Sequence, residues 1–122
     1  MKSAKPKITV EYEDDATIVG FTEDKILEEA EIQRLQDAIG SLIEQTEKIK
    51  LVLDFKNVSF LSSAVLGLLI RLSKRVYEKD GRLKLCNIEP RIYEIFKITR
   101  LTKVFDIYKD LQSTTAALKE GK

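Results

Sequence analysis

The chain has 122 residues, with 21 Lys and Arg against 20 Asp and Glu, one Cys, no His and no Trp. That length suits one domain burying roughly two-thirds of its unfolded surface, and 43% apolar residues supply a core without disulfides or metal. A net charge of +1 makes no electrostatic case for nucleic acid or an anionic membrane, and the lack of His removes imidazole-dependent nucleophiles and most zinc sites.

A single cysteine cannot close an internal disulfide, which fits a reducing compartment. The opening MKSAKPK has positive charge but no apolar run behind it, so it does not read as a signal peptide. The most apolar stretch, Phe60 to Ile70, is broken by Ser62 and Ser63 and closed by Arg71. It is far short of the ~20 residues a membrane span needs. A cytoplasmic protein is expected.

In chain order, Lys7 to Tyr12 alternates, with Ile8, Val10 and Tyr12 on one side. That pattern predicts a half-buried strand. Glu13, Asp14 and Asp15 form a polar turn, and Ala16 to Phe21 returns as the second strand of a hairpin at a sheet edge. Lys25 to Leu27 is a short extended piece. From Glu29 the period becomes helical, with Ile32, Leu35, Ile39, Leu42 and Ile43 on one stripe.

Ile49 to Phe55 is apolar on both sides and is placed centrally in a parallel arrangement. Lys56, Asn57 and Val58 start a loop, and a second helix is expected from about Ser63 to about Lys79. Asp80-Gly81 ends it. Leu83 to Cys86 is a short strand, with Cys86 a core residue. Pro90 suits the first turn of a third helix carrying Ile92, Ile95, Phe96 and Ile98. Val104 to Tyr108 is a final edge strand, and Leu111 to Leu118 a weak terminal helix. The basic groups Arg71, Lys74, Arg75 and Arg91, Lys97, Arg100, Lys103 read as solvated faces, with Arg71 or Lys74 able to steer an acidic partner.

The informative stretch runs from Val52 to Ile70. A buried strand ends at Asp54, a loop turns, and two serines open an apolar helix. Serine at a helix start accepts a bond from an otherwise orphaned backbone N–H. The same place favours an anion. At about 100° per residue, Val65, Leu69, Leu72 and Val76 form one stripe facing the sheet. Leu66, Ile70 and Tyr77 form a second, flanked by Ser63 and Gly67. Either the third helix covers this second stripe, or it is an exposed docking surface. The plain reading of the serines is capping, and that of Asp54 is a loop hydrogen-bond partner. No His, Gly-rich phosphate loop or spaced metal cluster accompanies Asp54. No catalytic residue, metal site or cofactor is expected, although the strand ends and Ser62 and Ser63 leave a nucleotide-binding domain as a remote alternative.

The segment LVLDFKNVSFLSSAVLG, the later ITRLTKVFDIY and the order of elements resemble a STAS domain, the fold of bacterial anti-sigma factor antagonists and of the cytoplasmic ends of sulfate transporters. The resemblance runs from about Ile8 to about Leu118. It implies an α/β fold of two layers, with a mixed sheet of four to five strands and about four helices mainly on one face. The whole chain, 1–122, would be one such domain, with its core at about 7–118. In the antagonists an Asp-Ser-x-Gly-Leu-Gly-like motif opens the helix, and its serine is phosphorylated by a serine kinase that is itself the anti-sigma factor. The match places Ser63 on the acceptor, Leu66 and Gly67 on the following positions, and Asp54 on the strand-end acid.

Ser62 stands where the family usually has Asp, which makes it a competing acceptor. Val65 stands where the family usually has Gly, and is expected to bring a branched side chain towards a docking partner. The implied surface comprises Ser62, Ser63, Leu66, Gly67 and Ile70. The implied partners are a kinase-type anti-sigma factor and a metal-dependent serine/threonine phosphatase, with no nucleic acid and no membrane. The alternative is a STAS scaffold or accessory subunit that is not phosphorylated.

Overall fold

The computed structural model describes residues 7–121. Seven strands and four helices follow one another: β1 (Ile8–Glu13), β2 (Ala16–Phe21), β3 (Lys25–Ile26), α1 (Glu29–Gln45), β4 (Lys50–Asp54), β5 (Phe60–Leu61), α2 (Ser63–Glu78), β6 (Arg82–Cys86), α3 (Pro90–Ile98), β7 (Asp106–Tyr108) and α4 (Leu111–Lys119). A 3₁₀ turn at Leu101–Lys103 precedes β7. The main sheet has the order β1-β2-β4-β6-β7, and β3 pairs with β5 in a separate two-stranded ribbon. Only β1 runs antiparallel to its neighbour; β2, β4, β6 and β7 are parallel. This is the mixed α/β sheet the sequence implied.

The hairpin closes through Asp14 and Asp15, both in the left-handed region at φ 48° and 74°. Two positive φ values in a two-residue loop match the right-handed twist of the strands, and aspartate tolerates that conformation better than most residues. The strand after it alternates between two cores. Val19 and Phe21 join Leu51, Leu53, Leu83 and Leu85 on one side, where they pack under the apolar stripes of α1, α2 and α3. Ala16, Ile18, Val52 and Cys86 point the other way and are covered by Leu118 of α4, with Tyr108 and Leu111 at the margin. Three helices therefore share one face, and α4 alone covers the other.

Several expectations need correction. β1 forms where the alternation places it, but Ile8 is its only side chain packed on the core. Val10 is 37% and Tyr12 72% exposed, because no helix extends over the sheet margin where they lie. On α3, Ile92 and Phe96 are buried while Ile95 and Ile98 are exposed. At the end of α2 the left-handed residue is Asp80, at φ 60°, with Gly81 N–H reaching back to Val76 O at 2.9 Å. Gly81 is required for space rather than for φ, since a Cβ there would stand 2.6 Å from the Ile49 carbonyl oxygen.

Arg71 and Arg75 are not merely a wet face. Arg71 Nη2 donates to Gln36 Oε1 at 2.9 Å, and Arg75 Nη2 pairs with Glu44 at 3.0 Å. Arg75 lies across Gly40, which lets α1 and α2 approach. Arg75, then Lys79, holds the Glu44 carboxyl below its ordinary range. The helix register that carries Ser63 is thus tied to α1.

Candidate functional site

The site is assembled from the end of β4 upward. Asp54, 5% exposed, accepts from the Lys56 N–H at 3.0 Å and from Asn87 Nδ2 at 2.9 Å. Its carboxylate fixes both the loop leaving β4 and the loop leaving β6. Phe55 N–H adds a bond to Cys86 O at 3.0 Å. Cys86 lies in the core beneath, where burial, and then the charge of Asp54, pushes its thiol up to about 12. Such a thiol is protonated and inert at neutral pH.

The loop from Lys56 to Leu61 is held against the segment between β2 and α1. Asn57 Nδ2 donates to Phe21 O at 3.3 Å, and the Ser59 and Phe60 N–H groups both donate to Asp24 O, at 2.8 and 3.1 Å. The β3–β5 ribbon then pairs Lys25 with Phe60 and Ile26 with Leu61, and Ser62 N–H continues it to Ile26 O at 3.1 Å. A strand pair turns alternate side chains to opposite sides. Ile26 and Leu61 are buried, so Leu27 and Phe60 are turned outward, each 50% exposed.

This ribbon delivers the two serines in different environments. Ser62 is the extended residue before α2 (φ −82°, ψ 164°), and its side chain makes no capping bond. Its Oγ is buried with no hydrogen-bond partner among the described residues. The expectation of a serine cap is therefore not met at Ser62. Ser63 is the first residue of α2 and is exposed. At that position its hydroxyl stands beside the positive end of the helix dipole.

From Ser63 one face of α2 runs through Gly67 and Ile70, at the spacing that stacks side chains on a helix. Ile70 is 43% exposed, whereas Leu66 and Gly67 are half-buried. Tyr77, further along, is 46% exposed. The second stripe of α2 is thus open in part, with α3 leaving Ile70 and Tyr77 to solvent. Val65 is 2% exposed and packs in the core with Leu69, Leu72 and Val76, so its branched side chain does not reach the surface.

A groove of about 550 Å³ lies between the ribbon and α3, walled by Leu27, Phe60, Leu61, Ile92 and Ile95, with Lys25, Ser59 and Arg91 among its lining residues. Sequence reasoning missed this groove. Its signal was the in-out alternation of Ile26-Leu27 and Phe60-Leu61; the first reads as extended, but Phe60-Leu61 is too short to stand out as its partner strand. Among the described residues no group of His, Cys, Asp and Glu is arranged to hold a metal ion, and no helix is long and apolar enough to cross a membrane.

The STAS domain family model matches residues 7–114. The chain belongs to the STAS domain family. Its sequence is 24% identical over 102 residues to the anti-sigma F factor antagonist of Paenibacillus polymyxa, covering 84% of this chain and 86% of that one. An anti-sigma factor antagonist (STAS) domain protein from Planctomyces limnophilus superposes with a TM-score of 0.84 at 24% identity, over 92% of this chain and 97% of the other. The Bacillus cell fate determinant SpoIIAA in its phosphorylated form superposes with a TM-score of 0.70 at 16% identity, over 94% and 99% of the two chains. In sequence and fold this STAS domain is therefore similar to proteins named anti-sigma factor antagonists.

Proposed function

We propose that this STAS domain docks a kinase-type anti-sigma factor through Ser62, Ser63, Leu66, Gly67 and Ile70, and that phosphorylation of Ser63 releases it. The observation that carries the reading is the contrast between the two serines. Ser63 offers an exposed hydroxyl at the start of α2, while the Ser62 hydroxyl is enclosed. The departure from the family motif at Ser62 thus leaves one usable acceptor. The exposed apolar groups, Ile70 on the same face of α2 and Leu27, Phe60 and Ile95 along the groove, are of the kind that marks a protein-binding face. The same-fold relative solved in a phosphorylated form supports a modification on this scaffold.

In the proposed step Ser63 Oγ attacks the γ-phosphorus of ATP held by the partner. The bond to the β,γ-bridging oxygen breaks, ADP leaves, and the hydroxyl proton passes to a base on the kinase. The product carries ≈ −1.5 to −2 charges at neutral pH. Its own helix tolerates that charge, because the N-terminal N–H groups face it. An apolar interface does not, since the charge must be desolvated there. Dissociation follows from this difference. A metal-dependent serine/threonine phosphatase resets the state by hydrolysis. The domain itself supplies no catalysis and acts as substrate and competitor.

The test is a binding titration of the anti-sigma partner with Ser63→Asp and Ser63→Ala. The aspartate variant is expected to bind roughly tenfold or more weakly, about 1.4 kcal/mol, and the alanine variant as the wild type. Equal affinities would refute the switch.

A further inference from the structure

From the edge strand β1 we infer that this STAS domain self-associates, two copies pairing antiparallel through β1 about a twofold axis at Val10. β1 is the outermost strand of the sheet. The hairpin register, Glu13 opposite Ala16 with Thr22 N–H bonded to Lys7 O at 3.1 Å, sets which backbone groups are used. Lys7, Thr9, Glu11 and Glu13 face β2 in hydrogen-bonded pairs. Ile8, Val10 and Tyr12 therefore aim their N–H and C=O groups at the free edge. Such an edge is a template for another strand.

The side chains say which strand fits. Centred on Val10, an antiparallel copy sets Val10 against Val10 and Ile8 against Tyr12, joining apolar groups on one side. The same register sets Lys7 against Glu13 and Thr9 against Glu11 on the other. Every opposed pair is chemically matched, and matched pairs are what stabilise a sheet. It also places the twofold at a residue whose backbone groups point outward, so the three outward residues exchange bonds with their counterparts. Shifting the centre to Glu11 opposes two carboxylates. Shifting it to Thr9 pairs only Ile8 to Val10 within β1. Val10 and Tyr12, 37% and 72% exposed and covered by no element of the described fold, would gain apolar neighbours from a second copy. Lys7 is otherwise engaged only loosely, 3.8 Å from Glu23. The pairing joins two five-stranded sheets into one and uses different elements from the Ser63 surface.

Sedimentation equilibrium of the full chain over a concentration series tests this. The wild type is expected to show a concentration-dependent dimer. Val10→Pro removes no bond of the single copy, because that N–H faces away from β2, and it should raise the dimer dissociation constant at least tenfold. Glu13→Lys should weaken the dimer, and the double exchange Lys7→Glu with Glu13→Lys should restore it. A wild type that stays monomeric up to high concentration would overturn the inference. So would a dimer indifferent to Val10→Pro, or one that the double exchange fails to recover.

Discussion

Asn87 and Asp54, 33 residues apart in the chain, meet through an Nδ2–H···Oδ1 bond of 2.9 Å that clips the ends of β4 and β6 together. Asn87 takes a left-handed backbone at φ 57°, a conformation asparagine adopts more readily than most residues. The same Asp54 oxygen holds the first turn of the loop that leads to Ser63. Removing the carboxylate leaves two donors without their acceptor in a part-buried site. Asp54→Ala is expected to cost about 1–3 kcal/mol in chemical denaturation, and Asp54→Asn less, since its amide oxygen still accepts. An Asp54→Ala protein as stable as the wild type would show that this carboxylate anchors nothing.

Neither serine is expected to hold the fold together. A serine that caps a helix costs about 0.5–2 kcal/mol when changed to alanine. Ser62 occupies the capping position, yet its buried Oγ has no partner among the described residues. Ser62→Ala should therefore leave the protein unchanged or slightly more stable, since an unpaired buried hydroxyl is a liability. Ser63→Ala, at an exposed position, should stay within about 0.5 kcal/mol. Thermal melts of both variants decide this, and a marked loss for Ser62→Ala would mean that the hydroxyl caps α2 after all.

Most of the architecture was legible because it rests on periodicity. The α1 stripe Ile32, Leu35, Ile39 and Ile43, and the doubly apolar β4, state their burial directly. What escaped has a common cause: a pattern shows which residues share a side, not what lies over that side. Val10 and Tyr12 alternate as well as any buried strand, but no helix reaches them. Ile95 and Ile98 continue the α3 pattern, but remain in solvent. The β5 strand spans only Phe60–Leu61, too few residues to show a period, so the groove it walls was invisible. At the site, the helix start at Ser63 and the face through Gly67 and Ile70 were readable from spacing. The divergent fates of Ser62 and Ser63 were not, because they depend on how the ribbon enters the helix.

Gly67 offers a way to separate fold from function. A Cβ at this position would meet only Arg71 Nη1, at 3.4 Å, an ordinary contact that a flexible side chain accommodates. Glycine within a helix costs up to about 1 kcal/mol relative to alanine. Gly67→Ala is thus expected to stabilise the domain by about 0.5–1 kcal/mol. If the surface between Ser63 and Ile70 is the docking face, the added methyl will also weaken partner binding. Denaturation and a binding titration on the same variant would show the two effects diverging. Tighter folding with unaltered affinity would remove Gly67 from the interface.

Asp110 should make the stability of α4 dependent on pH. Its carboxylate accepts the Ser113 N–H at 2.8 Å and the Ser113 hydroxyl at 2.7 Å. Those bonds, the backbone one foremost, hold its pKa below the ordinary value of 3.8. A carboxyl whose folded-state pKa is depressed contributes its full stabilisation above the unfolded value, and loses it as pH falls through the folded one. Asp110→Ala should accordingly be less stable than the wild type at neutral pH. The gap should close as the pH drops below about 4. Because the carboxylate is satisfied by hydrogen bonds rather than by a distant cation, added salt should leave the gap largely intact. Melts of both proteins across an acid series, at low and high ionic strength, measure it; a gap undiminished in acid would mean that the Asp110 side chain caps α4 without its charge, and no gap at any pH that the packing of Leu118 alone holds the helix.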